Sequence, residues 1–113
     1  MKTIFIDIDG TIINQKKDLS NVVLEEAIIL PGVLEKFNSW NWKGYNIIVT
    51  TGRKESTRDK TEDELRSLGL FWDHLIMGLD AGGERVLINN SDEHDTAQAI
   101  TVKTNQGLEE INL

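Results

Sequence analysis

The chain has no cysteine, which excludes disulfides, thiolate metal sites and cysteine nucleophiles and is compatible with a cytoplasmic setting. Proline occurs once, as Pro31, so proline-rich linkers and recognition tracts are excluded. Basic residues are scarce: 12 Lys and Arg face 19 Asp and Glu, for a net charge of −7. That balance argues against a general grip on nucleic acid, which needs cations to displace counterions. No apolar run approaches the roughly 18 residues that span a bilayer, so no membrane association is expected. Lys2 leads into a short β-type run that ends in acids, which is not the pattern of a signal peptide. What remains is an ordinary globular composition, 39% hydrophobic and 27% charged, sized for one domain over residues 1–113.

Ile4 to Thr11 read I-F-I-D-I-D-G-T. Alternation along a strand places Asp7 and Asp9 on one side, and Gly10 permits the turn that carries both past the strand end. Two neighbouring acids repel each other unless a cation or a shared proton offsets the charge. A hard divalent cation with oxygen ligands, Mg²⁺ first among them, fits that chemistry. An EF-hand is excluded, because its glycine stands five positions after the first acid and Gly10 stands three after Asp7. A bare strand running into an Asp-Gly turn explains the motif equally well when it is taken alone.

The rest of the chain alternates strand and helix patterns. Ile4–Ile8 is the first expected strand. A helix opens at Pro31-Gly32, with Val33, Leu34, Phe37 and Trp40 on its apolar stripe, and closes at Gly44. Asn46–Thr50 follows as a strand without clean alternation, as when both faces of a sheet are covered. Glu55–Leu68 reads as a polar helix with Thr61, Leu65 and Leu68 inward, capped by Gly69. His74–Met77, Arg85–Asn89 and Ala99–Val102 complete five strands. This is an α/β pattern with a mostly parallel sheet, in which ligands bind beyond the C-terminal strand ends. Asp7, Asp9, Thr50, Thr51, Asn89 and Asn90 occupy such ends. Residues 12–30 are expected as a flap and 104–113 as a loose tail.

Three further signals accompany the acid pair. T-T-G-R, Thr50 to Arg53, can offer a hydroxyl, backbone N–H groups and a guanidinium to one anion. Arg85 precedes the apolar run Val86-Leu87-Ile88, and Asn89-Asn90-Ser91-Asp92-Glu93-His94-Asp95 forms an acidic loop after it. Each has a plain reading, respectively as β-forming threonines, a solvated arginine and a solvated loop. In this order, however, the four signals resemble the haloacid dehalogenase superfamily of phosphohydrolases. The resemblance rests on D-I-D-G-T, T-T-G-R, Arg85 and the acidic loop, and covers Ile4 to about Ile100.

That resemblance implies a single Rossmann-like domain with strand order 3-2-1-4-5. It makes Asp7 the nucleophile that becomes an aspartyl-phosphate, and Asp9 the general acid and then base. Thr51 would hydrogen-bond the phosphoryl group, with Thr50 as the alternative, and Arg85 would neutralise charge where the family commonly has lysine. Gly10, Thr11, Thr50, Gly52 and Arg53 would contact substrate. Mg²⁺ would be held by Asp7, Asp9, Asn90 and Asp95, with Asp92 as the alternative to Asp95. Asn90 departs from the family's acid at that place, and an amide oxygen coordinates without contributing charge. Neither Thr11–Thr51 nor Gly52–Gly83 leaves room for a cap domain.

The expected substrate is a small phosphomonoester, sugar phosphate ahead of nucleotide or polynucleotide end. A homo-oligomer would shield the open site, with Trp42 or Trp72 on its exposed patch. Two other classes compete. A binding or regulatory module without turnover is motivated by Asn89-Asn90. A phospho-accepting receiver domain would need its acid at the third strand's end, where Met77-Gly78 stands. His74 and His94 are expected to play no catalytic part.

Overall fold

Ile4, Ile6 and Ile8 all turn into the core while Thr3, Phe5 and Asp7 between them stay exposed, the period-2 signature of a strand with one covered face. In the computed structural model, which describes residues 1–15, 26–92 and 96–113, this strand is β1, Thr3–Asp7. It pairs in parallel with β2, Asn46–Thr50, in the register Ile4↔Ile47 to Asp7↔Thr50. β2 pairs in parallel with β3, His74–Ile76. The order β1-β2-β3 steps in one direction, so two right-handed crossovers put both connecting helices on the same face.

Helix α1, Val33–Trp42, contributes Val33, Phe37 and Trp40 to the core. Phe37 and Trp40 stack at 5.5 Å between ring centroids, and Phe71 meets Phe37 edge-on at 6.1 Å. Leu34 was expected on that stripe but is 39% exposed. It lies 100° from Val33 around the helix, and the buried arc is already filled by positions 33, 37 and 40. A short 3₁₀ turn, Glu55–Thr57, leads into α2, Arg58–Ser67, which buries Thr61 and Leu65. Trp42 is 89% exposed, and the guanidinium of Arg66 lies over the Trp72 ring.

Two sequence expectations give way. Arg85–Asn89 and Ala99–Val102 are not strands, and the described sheet has three strands, the 3-2-1 half of the expected order. Val86, Leu87 and Ile88 lie open to solvent, Ile88 at 90%. β-branched residues favour a strand only where a neighbouring edge and a packing surface receive them, and this segment has taken neither. For the same reason the second face of the sheet stays uncovered: Phe5 is 53% and Ile76 43% exposed. β2 consequently alternates, with Ile47 and Val49 buried and Asn46 exposed, where coverage of both faces had been expected.

The described ends of the expected flap meet in an antiparallel bridge. Ile13 bridges Ile29, Asn14 N–H donates to the Ile28 carbonyl at 3.0 Å, and Ile28 N–H donates back to Asn14 Oδ1 at 2.6 Å. Ile12 and Ile13 are fully buried. The final residues, expected to be loose, are tied back to the body. Leu108 is buried, and its N–H donates to the Pro31 carbonyl at 2.8 Å. Gly107, at φ +85°, allows this approach, because a Cβ there would collide with the Pro31 backbone. Among the described residues no helix is long and apolar enough to cross a membrane.

The packing predicts a sharp contrast within α1. Phe37→Ala should cost about 3–5 kcal/mol, and Leu34→Ala less than about 1 kcal/mol given its exposure. Urea-denaturation midpoints for the two variants check the difference.

Candidate active site

β1 delivers Asp7 to its C-terminal end, directly opposite Thr50 of β2. The chain then turns: Thr11, Ile12 and Ile13 N–H groups all donate to the Ile8 carbonyl, and Gly10 N–H donates to the Ile13 carbonyl at 2.7 Å. Gly10 takes φ +85°. The Gly10 carbonyl accepts from Asn105 N–H at 2.8 Å, so the C-terminal segment braces the turn that carries the acids. Thr11 is half-buried beside it.

Asp7 stands at a solvent-facing strand end yet is closely surrounded by protein. Burial raises its pKa above the usual carboxylate range. The Ile8 N–H bond opposes the rise, the Asp9 charge adds to it, and the positive charges of Arg85 and Arg53 oppose it. The two acids are therefore near enough to interact, as the D-x-D spacing implied, and Arg85 is near enough to be felt. The Arg85 guanidinium is itself steadied by the Gly83 and Asp80 carbonyls at 3.0 and 3.1 Å.

Asp9 has a different environment. Arg53 grips it with two hydrogen bonds, Nε to Oδ2 at 3.0 Å and Nη2 to Oδ1 at 2.8 Å. Nη1 of the same guanidinium donates to Thr61 Oγ1 at 3.2 Å and Glu64 Oε1 at 3.0 Å on α2. The Arg53 side chain is 1% exposed. Burial works against its charge, but the contacts with Asp9 and Glu64 more than offset this, so its pKa is raised. A guanidinium engaged in this way is not a free anion-binding group, so it does not stand open to substrate as expected. The sequence reading also missed Glu64 altogether. A usable signal was present, because Thr61 was assigned to the inner face of a polar helix, and a buried hydroxyl needs a polar partner.

The T-T-G-R turn wraps against the end of β3. Thr51 is buried; its N–H donates to the Ile76 carbonyl at 3.0 Å, and its Oγ1 accepts the Arg53 N–H at 3.1 Å. Because it accepts there, its own O–H remains able to donate elsewhere. Thr50 is half-buried, with Oγ1 3.5 Å from the Ile6 carbonyl. Gly52 is needed for close approach, since a Cβ there would sit 2.7 Å from the Leu79 carbonyl oxygen.

Asn90 is exposed; its carbonyl accepts from Thr96 Oγ1, and Thr96 Oγ1 also receives Asn89 Nδ2 at 2.8 Å. Asp95 lies outside the described residues, as does His94. Among the described residues no group of three or more His, Cys, Asp or Glu could hold a metal ion. The donor chemistry nevertheless suits Mg²⁺ in one respect. Asp7 is a carboxylate whose charged form is disfavoured by burial and by Asp9, and a divalent cation would relieve that. Asp9, by contrast, already has its counter-charge in Arg53.

No protein-family model and no curated protein matches the chain. Solved structures do. A chain of the Pnkp1/Rnl/Hen1 complex aligns at 24% identity with TM-score 0.60, over 75% of this chain and 30% of that one. A chain of the Pnkp1/Rnl/Hen1 RNA repair complex aligns at 24% identity with TM-score 0.57, over 74% and 27%. A D,D-heptose 1,7-bisphosphate phosphatase from B. bronchiseptica, complexed with magnesium and phosphate, aligns at 18% identity with TM-score 0.47, over 73% and 52%. This chain thus spans less than a third of the first two. The likeness is one of fold: a small α/β unit with a three-stranded parallel sheet and two helices, compatible with a Rossmann-like domain.

The raised pKa of Asp7 has a consequence for stability. The folded carboxyl holds its proton more tightly than the unfolded one, so stability falls as pH rises through and above the ordinary carboxylate range. Asp7→Asn should therefore be more stable than the parent at pH 7 in chelator, and the gap should close as pH drops toward about 4. Thermal unfolding of both forms across that range measures it.

Proposed function

We propose that this chain is a phosphomonoester hydrolase that works through an aspartyl-phosphate on Asp7. The observation that supports the reading most directly is the pairing at the strand end: a surrounded acid that feels a cation, beside a second acid held in place. In the first step an Asp7 oxygen attacks phosphorus, the bond from phosphorus to the leaving oxygen breaks, and Asp9 gives that oxygen its proton. In the second, Asp9 takes a proton from water, the water oxygen attacks phosphorus, and phosphate leaves as Asp7 is regenerated. Thr51 would donate its free O–H to the phosphoryl group, and Arg85 would offset its charge. Mg²⁺ would be held by Asp7, the Asp9 main-chain carbonyl, Asn90 and Asp95, and when bound would neutralise phosphoryl charge.

The preferred substrate class is a sugar phosphate or another small phosphomonoester, because a net charge of −7 disfavours a polyanion. A polynucleotide end is the second reading, favoured by the fold shared with chains of an RNA repair complex.

Phosphate release with Mg²⁺ from sugar phosphates, nucleoside monophosphates and 3′-phosphorylated oligonucleotides tests the reading. Turnover is expected on the first group, and Asp7→Asn should reduce it by at least about 10⁴-fold. Near-native activity in that variant would rule the mechanism out. Asn90→Asp should lower the Mg²⁺ concentration for half-maximal activity by about tenfold or more. One added charge about 4 Å from a divalent ion interacts by roughly 8 kcal/mol at an effective dielectric near 20, before desolvation. Identical Mg²⁺ titrations of the two forms would make Asn90 a bystander.

A further inference from the structure

Arg53 meets the site from behind. Its guanidinium has five N–H donors, and four hydrogen bonds run to Asp9, Thr61 and Glu64. With its side chain 1% exposed, a phosphoryl oxygen could reach it only by displacing Asp9. The two bonds to Asp9 run to different carboxylate oxygens, which fixes the plane and the rotamer of the carboxyl group. Each carboxylate oxygen has two lone pairs, and Arg53 occupies one on each. The remaining outer lone pairs then point in two fixed directions in that plane, so that one oxygen can be aimed for proton transfer. Thr61 and Glu64 hold the guanidinium from α2, so the side-chain orientation of Asp9 is set through Arg53 by a helix as well as by the turn after β1.

We infer that Arg53 is a positioning residue: held by Thr61 and Glu64, it aligns Asp9 for proton transfer and does not bind the substrate phosphoryl group. The inference rests on the phosphatase reading above. It goes beyond that reading in assigning a role to Glu64 and in taking Arg53 out of the substrate contacts.

A substrate contrast separates the two roles. An alkyl phosphate needs its leaving oxygen protonated, whereas p-nitrophenyl phosphate expels a stable anion and does not. Arg53→Lys keeps the charge but replaces the planar fork with a point donor. It should lower kcat/KM for the alkyl phosphate by about 100-fold, the scale of lost general-acid catalysis, and for p-nitrophenyl phosphate by less than about fivefold. KM should stay near that of the parent for both. An equal loss on the two substrates, or a rise in KM at unchanged kcat, would overturn the assignment and make Arg53 a structural or anion-binding residue. Glu64→Gln, which touches the far side of the guanidinium, should give a smaller loss with the same contrast between substrates. If Arg53→Lys does not fold by circular dichroism, Glu64→Gln decides, and an unsplit loss there overturns the proposal. A parent chain inactive on both substrates overturns the phosphatase reading and the role of Arg53 with it. An active parent with an unsplit loss overturns the role of Arg53 alone.

Discussion

One buried cation joins three parts of the chain around the paired acids. Arg53 follows β2, Asp9 follows β1, and Glu64 and Thr61 belong to α2, and the guanidinium bonds to all of them. Taking a guanidinium out of water is costly, and removing one partner of a buried pair typically costs about 3–5 kcal/mol because a charge is stranded. Two carboxylates and a hydroxyl are what make the burial tolerable here. They also dictate that the turn after β1 and the middle of α2 keep a fixed relation, because the planar fork donates only in its own plane. Thr51 takes its place from the same turn, through its bond to the Arg53 N–H.

The sheet shows what this constraint does not reach. Below the site, Ile4, Ile6, Ile47, Val49 and Leu75 form one well-packed face with α1 and α2. On the other face Phe5 and Ile76 remain open, although parallel sheets are ordinarily covered on both. Order in the described fold therefore runs from the helical side to the strand ends, and the acids are held from that side. Arg85 approaches the site with its guanidinium bonded to the nearby Gly83 and Asp80 carbonyls.

Much of this arrangement was readable before any coordinates. The alternation of Ile4, Ile6 and Ile8 with exposed residues, the Pro31-Gly32 opening and the Val33, Phe37, Trp40 spacing are local patterns with one physical solution. The adjacency of Asp7, Thr50 and Thr51 followed from parallel pairing of two short strands. Val86-Leu87-Ile88 was misread because β propensity describes a fit to neighbours, and a sequence does not say whether the neighbours are free. Arg53 was misread for a related reason. An arginine beside a glycine turn is compatible with an anion from substrate or from the chain itself, and the choice lay with Glu64, eleven residues away on another element. Leu34 failed on geometry: adjacent helical positions diverge by 100°, and a narrow contact arc keeps only one of them.

The antiparallel bridge between Ile13 and Ile29 also bears on how the acid-bearing turn is held. Asn14 and Ile28 close a ring with bonds in both directions, and Ile13 and Ile29 clamp it beneath. Gly10 N–H donates to the Ile13 carbonyl, while Asn105 donates to the Gly10 carbonyl and accepts from Gln15 N–H, so the acid-bearing turn and this clamp form one hydrogen-bonded unit. A change at Asn105, far from the acids in sequence, is therefore transmitted to the turn that carries them through a single backbone bond.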